Sequence, residues 1–146
     1  MAGEGRPTAC TPAVQARMVE ALKYMSKIPA PPVVIANHPY GILDGLMMGH
    51  LLDAVREDFR ILANSVFTRA PDLNRVILPI SFEDSKEALR CNLETRSKAL
   101  DYLGQGGAIG IFPGGTVSTA ARPFSRPMDP GWRNFTAKMI AKSGAT

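Results

Sequence analysis

Residues 33–44 read VVIANHPYGILD and combine three local signals in a short space. The apolar run over Val33–Ala36 is typical of a strand that is buried on both faces of a parallel sheet. Proline and glycine within residues 37–41 then prevent regular structure, so the strand opens directly into a loop. Asp44 can cap the helix that follows. The stretch therefore predicts a strand, a loop and a helix, with a histidine and a carboxylate where the strand ends.

The rest of the chain continues this alternation of strands and helices. The patterns predict further strands over residues 59–63, 76–80 and 108–112, and helices over 65–69, 84–104 and 132–143. In the long helix, leucines at 89, 93, 100 and 103 form one stripe, and Asp84 and Glu87 resemble a capping box. Strands that alternate with helices predict an α/β fold, a layered domain with a mostly parallel sheet flanked by helices.

Length and composition limit the chain to one domain of this kind. It has 146 residues, of which 45% are apolar and 21% charged, enough for one packed core. We assign residues 1–31 to an N-terminal helix and linker, and residues 32–146 to the domain. No apolar run is long enough to span a bilayer, and the N-terminus has no signal-peptide pattern. Two cysteines are too few for a disulfide framework, which favours a reducing cytoplasm.

The net charge of +4 is concentrated near the C-terminus. Residues 119–146 contain five cations and one anion, whereas the preceding residues hold equal numbers of each sign. A basic stretch favours anionic partners such as lipid headgroups or phosphates, although an ordinary solvated surface has the same composition. No nucleic-acid motif accompanies the cations, so we expect no nucleic-acid partner.

The first candidate site is the loop that contains His38 and Asp44. If Asp44 accepts one imidazole N–H, it fixes the tautomer and makes the other nitrogen a general base for a hydroxyl proton. The alternative is structural, with Asp44 capping its helix and His38 bonded to backbone. A metal site formed with His50 is a weaker hypothesis, because the helical pattern places His50 on the apolar face, where we expect it to be buried.

The second candidate site is the loop over residues 112–116, with the sequence FPGGT. It fits neither a P-loop nor the dinucleotide-binding glycine pattern, and the chain has no G-x-S-x-G nucleophile motif. A Pro-Gly-Gly turn does let backbone N–H groups approach an oxyanion or a phosphate closely. The alternative is a tight turn that only ends the strand.

Together, Asn37, His38 and Asp44 in the first loop and Phe112–Ser118 in the second resemble the two best-known motifs of the phospholipid/glycerol acyltransferases, also called lysophospholipid acyltransferases. The form Asn-His-Pro-x-Gly-x-x-Asp-Gly is most similar to a bacterial branch of lyso-ornithine-lipid acyltransferases and proteins described as hemolysins. The resemblance covers roughly Pro32 to the C-terminus.

The sequence departs from the family pattern at several positions. Five residues separate His38 from Asp44 where the family has four. Gly114 and Val117 stand where the family has a glutamate and a basic residue, so Arg122 or Arg126 could supply a lost phosphate contact. The family's middle arginine motif has no counterpart, which leaves an amino-lipid acceptor open. A fourth motif would follow Gly144, and we therefore expect a domain that is incomplete at its C-terminus.

The resemblance implies transfer of a fatty acyl group from acyl-CoA or an acyl carrier protein to the hydroxyl of a lysolipid. His38 would be the general base, Asp44 would orient it, and neither metal nor cofactor is implied. The implied partners also include a membrane surface, at the inner face of which the cytoplasmic protein would bind peripherally. The alternatives are a non-catalytic lipid- or phosphate-binding remnant and an acyl-thioester hydrolase. The implied substrate-binding residues are Asn37, Phe112, Pro113, Gly114, Gly115, Thr116, Arg122 and Arg126.

Overall fold

The computed structural model describes residues 31–146 and, before them, only Ala16, Glu20, Lys23, Tyr24 and Lys27. Apart from these isolated positions, the predicted N-terminal helix lies outside the described residues. The regular elements are β1 (Val33–Ile35), α1 (Ile42–Asp53), β2 (Phe59–Asn64), β3 (Ile77–Ile80), α2 (Lys86–Gly104), β4 (Ala108–Ile111) and α3 (Phe135–Ser143). Two short 3₁₀ turns, Ser65–Arg69 and Pro71–Leu73, connect β2 to β3.

The four strands form one sheet in the order β1-β4-β2-β3, and every strand pair is parallel. This confirms the predicted α/β class with a parallel sheet flanked by helices. β1 lies beside β4 with Ile35 opposite Ile111, so the two strands end side by side. On the other side of β1, the N–H of Val33 donates to the carbonyl of Thr146 (2.8 Å). Whether the domain is incomplete at its C-terminus stays a prediction.

Helices cover both faces of the sheet and create two apolar clusters. On one face α1 packs its Met48 and Leu52 against Phe59, Ile61 and Ala108. On the other face α2 and α3 cover the strands, so that each strand contributes alternate residues to opposite layers, as period-two geometry requires. The cluster on this second face contains Val33, Leu62, Leu78, Ala99, Leu103, Ile109, Ile111, Met139 and Ala145.

The edge strand β3 contains a proline that is fixed by α2. The hydroxyl of buried Thr95 donates to the carbonyl of Pro79 (2.6 Å), which satisfies a polar side chain inside the core. Proline has no N–H, and it is tolerated here because β2 is the one strand that pairs with β3 among residues 31–146. This hydrogen bond ties the middle of α2 to the rim of the sheet.

The apolar face predicted for α1 is wrong. The helix begins at Ile42 after Gly41, and Asp44 lies within its first turn instead of capping it. Its buried residues are Met48 and Leu52, and the predicted burial of His50 is wrong because His50 is exposed. At 100° per residue, position 50 lies about 200° from both buried positions, on the opposite side of the helix.

Details of three other elements also differ from the predictions. Residues 65–69 form a 3₁₀ turn, and the last helix begins at Phe135, three residues after the predicted start. Ser85 caps α2, where Asp84 was predicted, because the Ser85 hydroxyl accepts from the N–H of Ala88.

The leucine stripe predicted for α2 divides into two parts. Leu103 is 1% exposed in the core, whereas Leu89 is 62% exposed. The first turns of α2 therefore border an open space, and the buried positions in that half of the helix are the smaller Ala88 and Thr95.

Gly110, in β4, lies against the side chains of α1. A Cβ there would lie 2.6 Å from the sulfur of Met48 and 3.2 Å from Leu52. We expect Gly110→Ala to destabilise the fold by about 1–3 kcal/mol through overpacking. Gly45→Ala, on α1 with no atom within 4 Å of its new methyl group, is the control and should stabilise by up to about 1 kcal/mol. Denaturant unfolding measures both, and equal midpoints would contradict the expectation.

Candidate active site

The two loops that the sequence marks as candidate sites lie side by side. Because β1 and β4 are parallel neighbours, their carboxyl ends lie at the same edge of the sheet, and both loops start there. This is the edge at which α/β proteins bind ligands. The pairing extends beyond the strands, since the N–H of Ala36 donates to the carbonyl of Ile111 (3.4 Å). Further along, the N–H of Ser118 donates to the carbonyl of His38 (2.8 Å).

His38 and Asp44 form a hydrogen-bonded pair. The Nδ1 atom of His38 lies 3.1 Å from Oδ2 of Asp44, and both side chains are mostly buried. The same carboxylate oxygen accepts the N–H of Tyr40 at 2.7 Å. Asp44 therefore contacts the imidazole and also binds a backbone donor just before the helix, although it does not cap the helix. The extra residue between His38 and Asp44 does not separate them, because the chain turns at Gly41.

This geometry determines which imidazole nitrogen is available for chemistry. A carboxylate can only accept, so Nδ1 carries the proton and Nε2 of the neutral ring keeps its lone pair. The ring of Phe112 stacks on the imidazole with centroids 4.3 Å apart and an angle of 22° between the planes. Asp44 and Phe112 thus restrain the edge and the face of the ring and leave Nε2 as the possible base.

The loop after β4 forms a tight turn whose donors are partly used. The N–H of Gly115 donates to the carbonyl of Phe112 (3.0 Å), and Gly115 has a φ of 78°. This N–H is therefore not available to an oxyanion. Thr116 lines the cavity next to His38, and within the described part of the chain its N–H has no acceptor. Gly114 is buried below Pro130.

A cavity of about 1170 Å³ opens beside His38 and runs below the carboxyl edge of the sheet. Its walls are mainly apolar, as in most small-molecule sites. The exposed leucines of α2 line this cavity, which explains why half of the predicted stripe lies outside the core. The apolar lining includes Ile42 and Leu46 from α1, Val66 and Phe67 from the first 3₁₀ turn, Ile77 and Ile80 from β3, and Leu89 and Leu93 from α2.

The remaining predicted site residues differ in their exposure and in whether they line the cavity. Asn37 is exposed beside His38, and Pro113 is buried in the turn. Arg122 and Arg126 are exposed on the loop between Ser118 and α3 and do not line the cavity. Their substrate contacts stay predictions.

Two functional candidates were missed by the sequence analysis. Arg133 lines the cavity, its N–H donates to the carbonyl of Pro113 (3.2 Å), and its Nε lies 3.9 Å from a Cβ placed on Gly115. Asp129 accepts the backbone N–H of His38 (3.1 Å). No local spacing marks either residue, and the only signal was the basic, proline-rich composition around them.

Among the described residues, no three histidine, cysteine or acidic side chains cluster closely enough to hold a metal ion. None of the helices in the described part of the chain has the length and apolar character needed to cross a bilayer.

A parallel α/β sheet with a histidine–carboxylate pair and an apolar cavity at its carboxyl edge defines an enzyme-like site. Comparison with family models agrees, since the model described as Acyltransferase matches residues 19–144. The chain belongs to this acyltransferase family, whose general activity is acyl transfer. No curated protein sequence matches the chain. The match begins before residue 32, and the domain boundary predicted there stays a prediction.

Gly41 lets the chain turn so that Asp44 meets His38. Its φ of 64° and ψ of −123° form a conformation that side chains with a Cβ rarely adopt. We expect Gly41→Ala to destabilise the protein by about 1–3 kcal/mol. The new methyl group would have room, 3.6 Å from Val117, so the effect comes from the backbone. Denaturant unfolding measures it beside Gly131→Ala, which has open space and no positive φ; equal losses would contradict it.

Proposed function

We propose that the protein transfers a fatty acyl group from acyl-CoA or an acyl carrier protein to the hydroxyl of a lysolipid, with His38 as general base. The observation that carries the proposal is the contact of His38 Nδ1 with Asp44 Oδ2 at 3.1 Å, with His38 lining an apolar cavity. The family membership supports acyl transfer, and the cavity supports a long apolar acyl chain.

The reaction begins with proton transfer. Nε2 of His38 takes the proton of the acceptor hydroxyl while its oxygen attacks the thioester carbonyl. Asp44 stabilises the imidazolium through Nδ1 and keeps the ring in the productive tautomer. When the tetrahedral intermediate collapses, the C–S bond breaks and the thiolate leaves with the proton from Nε2. The products are an acylated lipid and a free thiol.

The developing oxyanion requires a donor that is already in place. The N–H of Thr116 is the strongest candidate, because it faces no internal acceptor and belongs to a cavity-lining residue. One preorganised donor of this kind stabilises a transition state by about 2–4 kcal/mol. Gly114 and Gly115 shape the turn that presents it.

Val117 stands where the family has a basic residue, so the contact to an anionic acceptor headgroup would have to come from another cation. Arg133 is placed to supply it, as it lines the cavity beside the turn. Arg122 and Arg126 are the other candidates, on an exposed loop. An arginine suits both a phosphate and the carboxylate of an amino-lipid such as lyso-ornithine lipid, and the motif form favours the latter branch.

A membrane surface would supply the acceptor. Exposed apolar side chains cluster around the start of α1, next to His38, and this pattern is typical of a surface that contacts lipid or protein. Tyr40 is 74% exposed, and Ile42, Leu43, Leu46 and Met47 are exposed with it. The cations near the C-terminus would add attraction to anionic headgroups. We therefore propose peripheral binding to the cytoplasmic face of a membrane.

The His38–Asp44 pair leads to a direct test. We expect His38→Ala to lower transfer by about 10²–10⁴-fold, because the base is lost. Asp44→Asn should lower the rate strongly as well, since an amide can donate to Nδ1 and favour the wrong tautomer. The assay measures thiol release from long-chain acyl-CoA and from an acyl carrier protein conjugate, with and without mixed lysolipids. Unchanged melting temperatures establish that folding is intact.

The same assay separates the alternatives. Release that needs lysolipid and disappears in His38→Ala supports an acyltransferase. Release without an acceptor, also lost in the variant, identifies a thioester hydrolase. Binding of acyl-CoA without any release identifies a non-catalytic binder, and equal release by wild type and His38→Ala would eliminate the mechanism.

Arg133 provides an independent prediction about the acceptor. We expect Arg133→Gln to raise the KM for anionic lysolipids about tenfold or more, with little change in the KM for acyl-CoA. A charged hydrogen bond to a carboxylate or phosphate contributes about 1.5–3 kcal/mol, which corresponds to that range. Arg122→Gln and Arg126→Gln are matched single-charge controls. A larger effect from either control would assign the headgroup contact to the exposed loop instead.

A further inference from the structure

The loop between β4 and α3 leads away from the active site and then returns to it. Thr119 and Met128 exchange backbone hydrogen bonds in an antiparallel bridge, each N–H donating over 3.1 Å. This bridge closes an exposed loop over residues 120–127 and brings the next residue, Asp129, alongside Ser118. The loop thus places the carboxylate of Asp129 beside the site.

Asp129 accepts three hydrogen bonds, and two of them lead to His38. Its Oδ1 accepts the backbone N–H of His38 (3.1 Å) and the hydroxyl of Ser118. Ser118 in turn donates its own N–H to the carbonyl of His38 (2.8 Å). Both polar backbone groups of His38 are therefore held by the same two residues. The third bond comes from the indole N–H of Trp132 to Oδ2 (3.2 Å).

The hydrogen bond from Ser118 is the main reason why the pKa of Asp129 lies below its ordinary value, and the His38 N–H and the Trp132 indole lower it further. The carboxylate consequently remains ionised in neutral solution and keeps its full capacity to accept the three donors.

The glycine at position 114 makes room for this arrangement. A Cβ on Gly114 would lie 3.2 Å and 3.3 Å from two ring carbons of Pro130, the residue after Asp129. A methyl group there is tighter than ordinary van der Waals contact, so Pro130 would have to give way. The missing glutamate of the second motif and the presence of Asp129 are therefore two parts of one feature of this chain.

We propose that Asp129 is a positioning residue of the acyl-transfer site, which fixes the backbone of His38 and thereby aims Nε2, from a place that only a small residue at position 114 leaves open. The proposal rests on the proposed function, in which Nε2 is the base. Asp44 and Phe112 restrain the ring, whereas the hydrogen bonds that hold the His38 backbone come from Asp129 and Ser118.

Kinetics of Asp129→Asn test the proposal. A displaced base lowers the rate by about 10- to 100-fold, so we expect kcat to fall by that factor with an unchanged KM for acyl-CoA. Asp101→Asn, on the exposed face of α2, is the control and should leave both quantities unchanged. Wild-type kcat in Asp129→Asn would overturn the proposal.

Position 114 supplies a second test, in which restoring the residue of the family motif is expected to lower activity. Gly114→Glu restores the residue of the family motif, yet we expect it to lower kcat about as much as Asp129→Asn, because it displaces Pro130. Gly114→Ala should have a much smaller effect. If Gly114→Glu is more active than wild type, the proposal is wrong.

A spectroscopic measurement separates this inference from the proposed function. Trp132 is the only tryptophan, so its indole N–H gives a single NMR signal that reports the bond to Asp129. In Asp129→Asn we expect that signal and the backbone amide signal of His38 to shift together, with the melting temperature retained. These shifts require no activity, so they still decide the inference if wild type and His38→Ala are equally inactive. An unmoved His38 amide would overturn it.

Discussion

The parallel pairing of β1 with β4 is the constraint on which the whole site depends. It aligns Ile35 with Ile111, so the next residues of both strands leave the sheet at the same height. His38 then meets the ring of Phe112, although the two residues lie far apart in the sequence. If β1 paired elsewhere, the histidine loop and the Pro-Gly-Gly turn would remain two unrelated loops. Sheet order is therefore as important to this site as the identity of its side chains.

Two restraints of different origin act on the imidazole. Asp44 acts within one loop, because a helix that begins directly after Gly41 brings its first turn close to the preceding strand. Asp129 and Ser118 act from the other loop and hold the backbone. Preorganised catalysts need both kinds, since a correctly hydrogen-bonded ring on a mobile backbone is still misplaced.

Local patterns in the sequence were sufficient for the strands and for the His38–Asp44 pair, because apolar runs and short spacings encode them directly. The face of α1 could not be predicted, since apolar residues surround the helix and define no single stripe. Leu89 and Leu93 were misleading because they line an apolar cavity instead of the core. Asp129 could not be found at all, since 91 positions separate it from His38. Such contacts depend on tertiary structure, and local sequence patterns do not predict them.

Pro79 has a consequence for how this protein behaves among other chains. An edge strand with free donors and acceptors is a template for a neighbouring strand, and sheets with apolar rims are prone to such association. On β3 the proline offers no donor, and its carbonyl is engaged by Thr95. Strand addition is therefore interrupted in the middle of this edge.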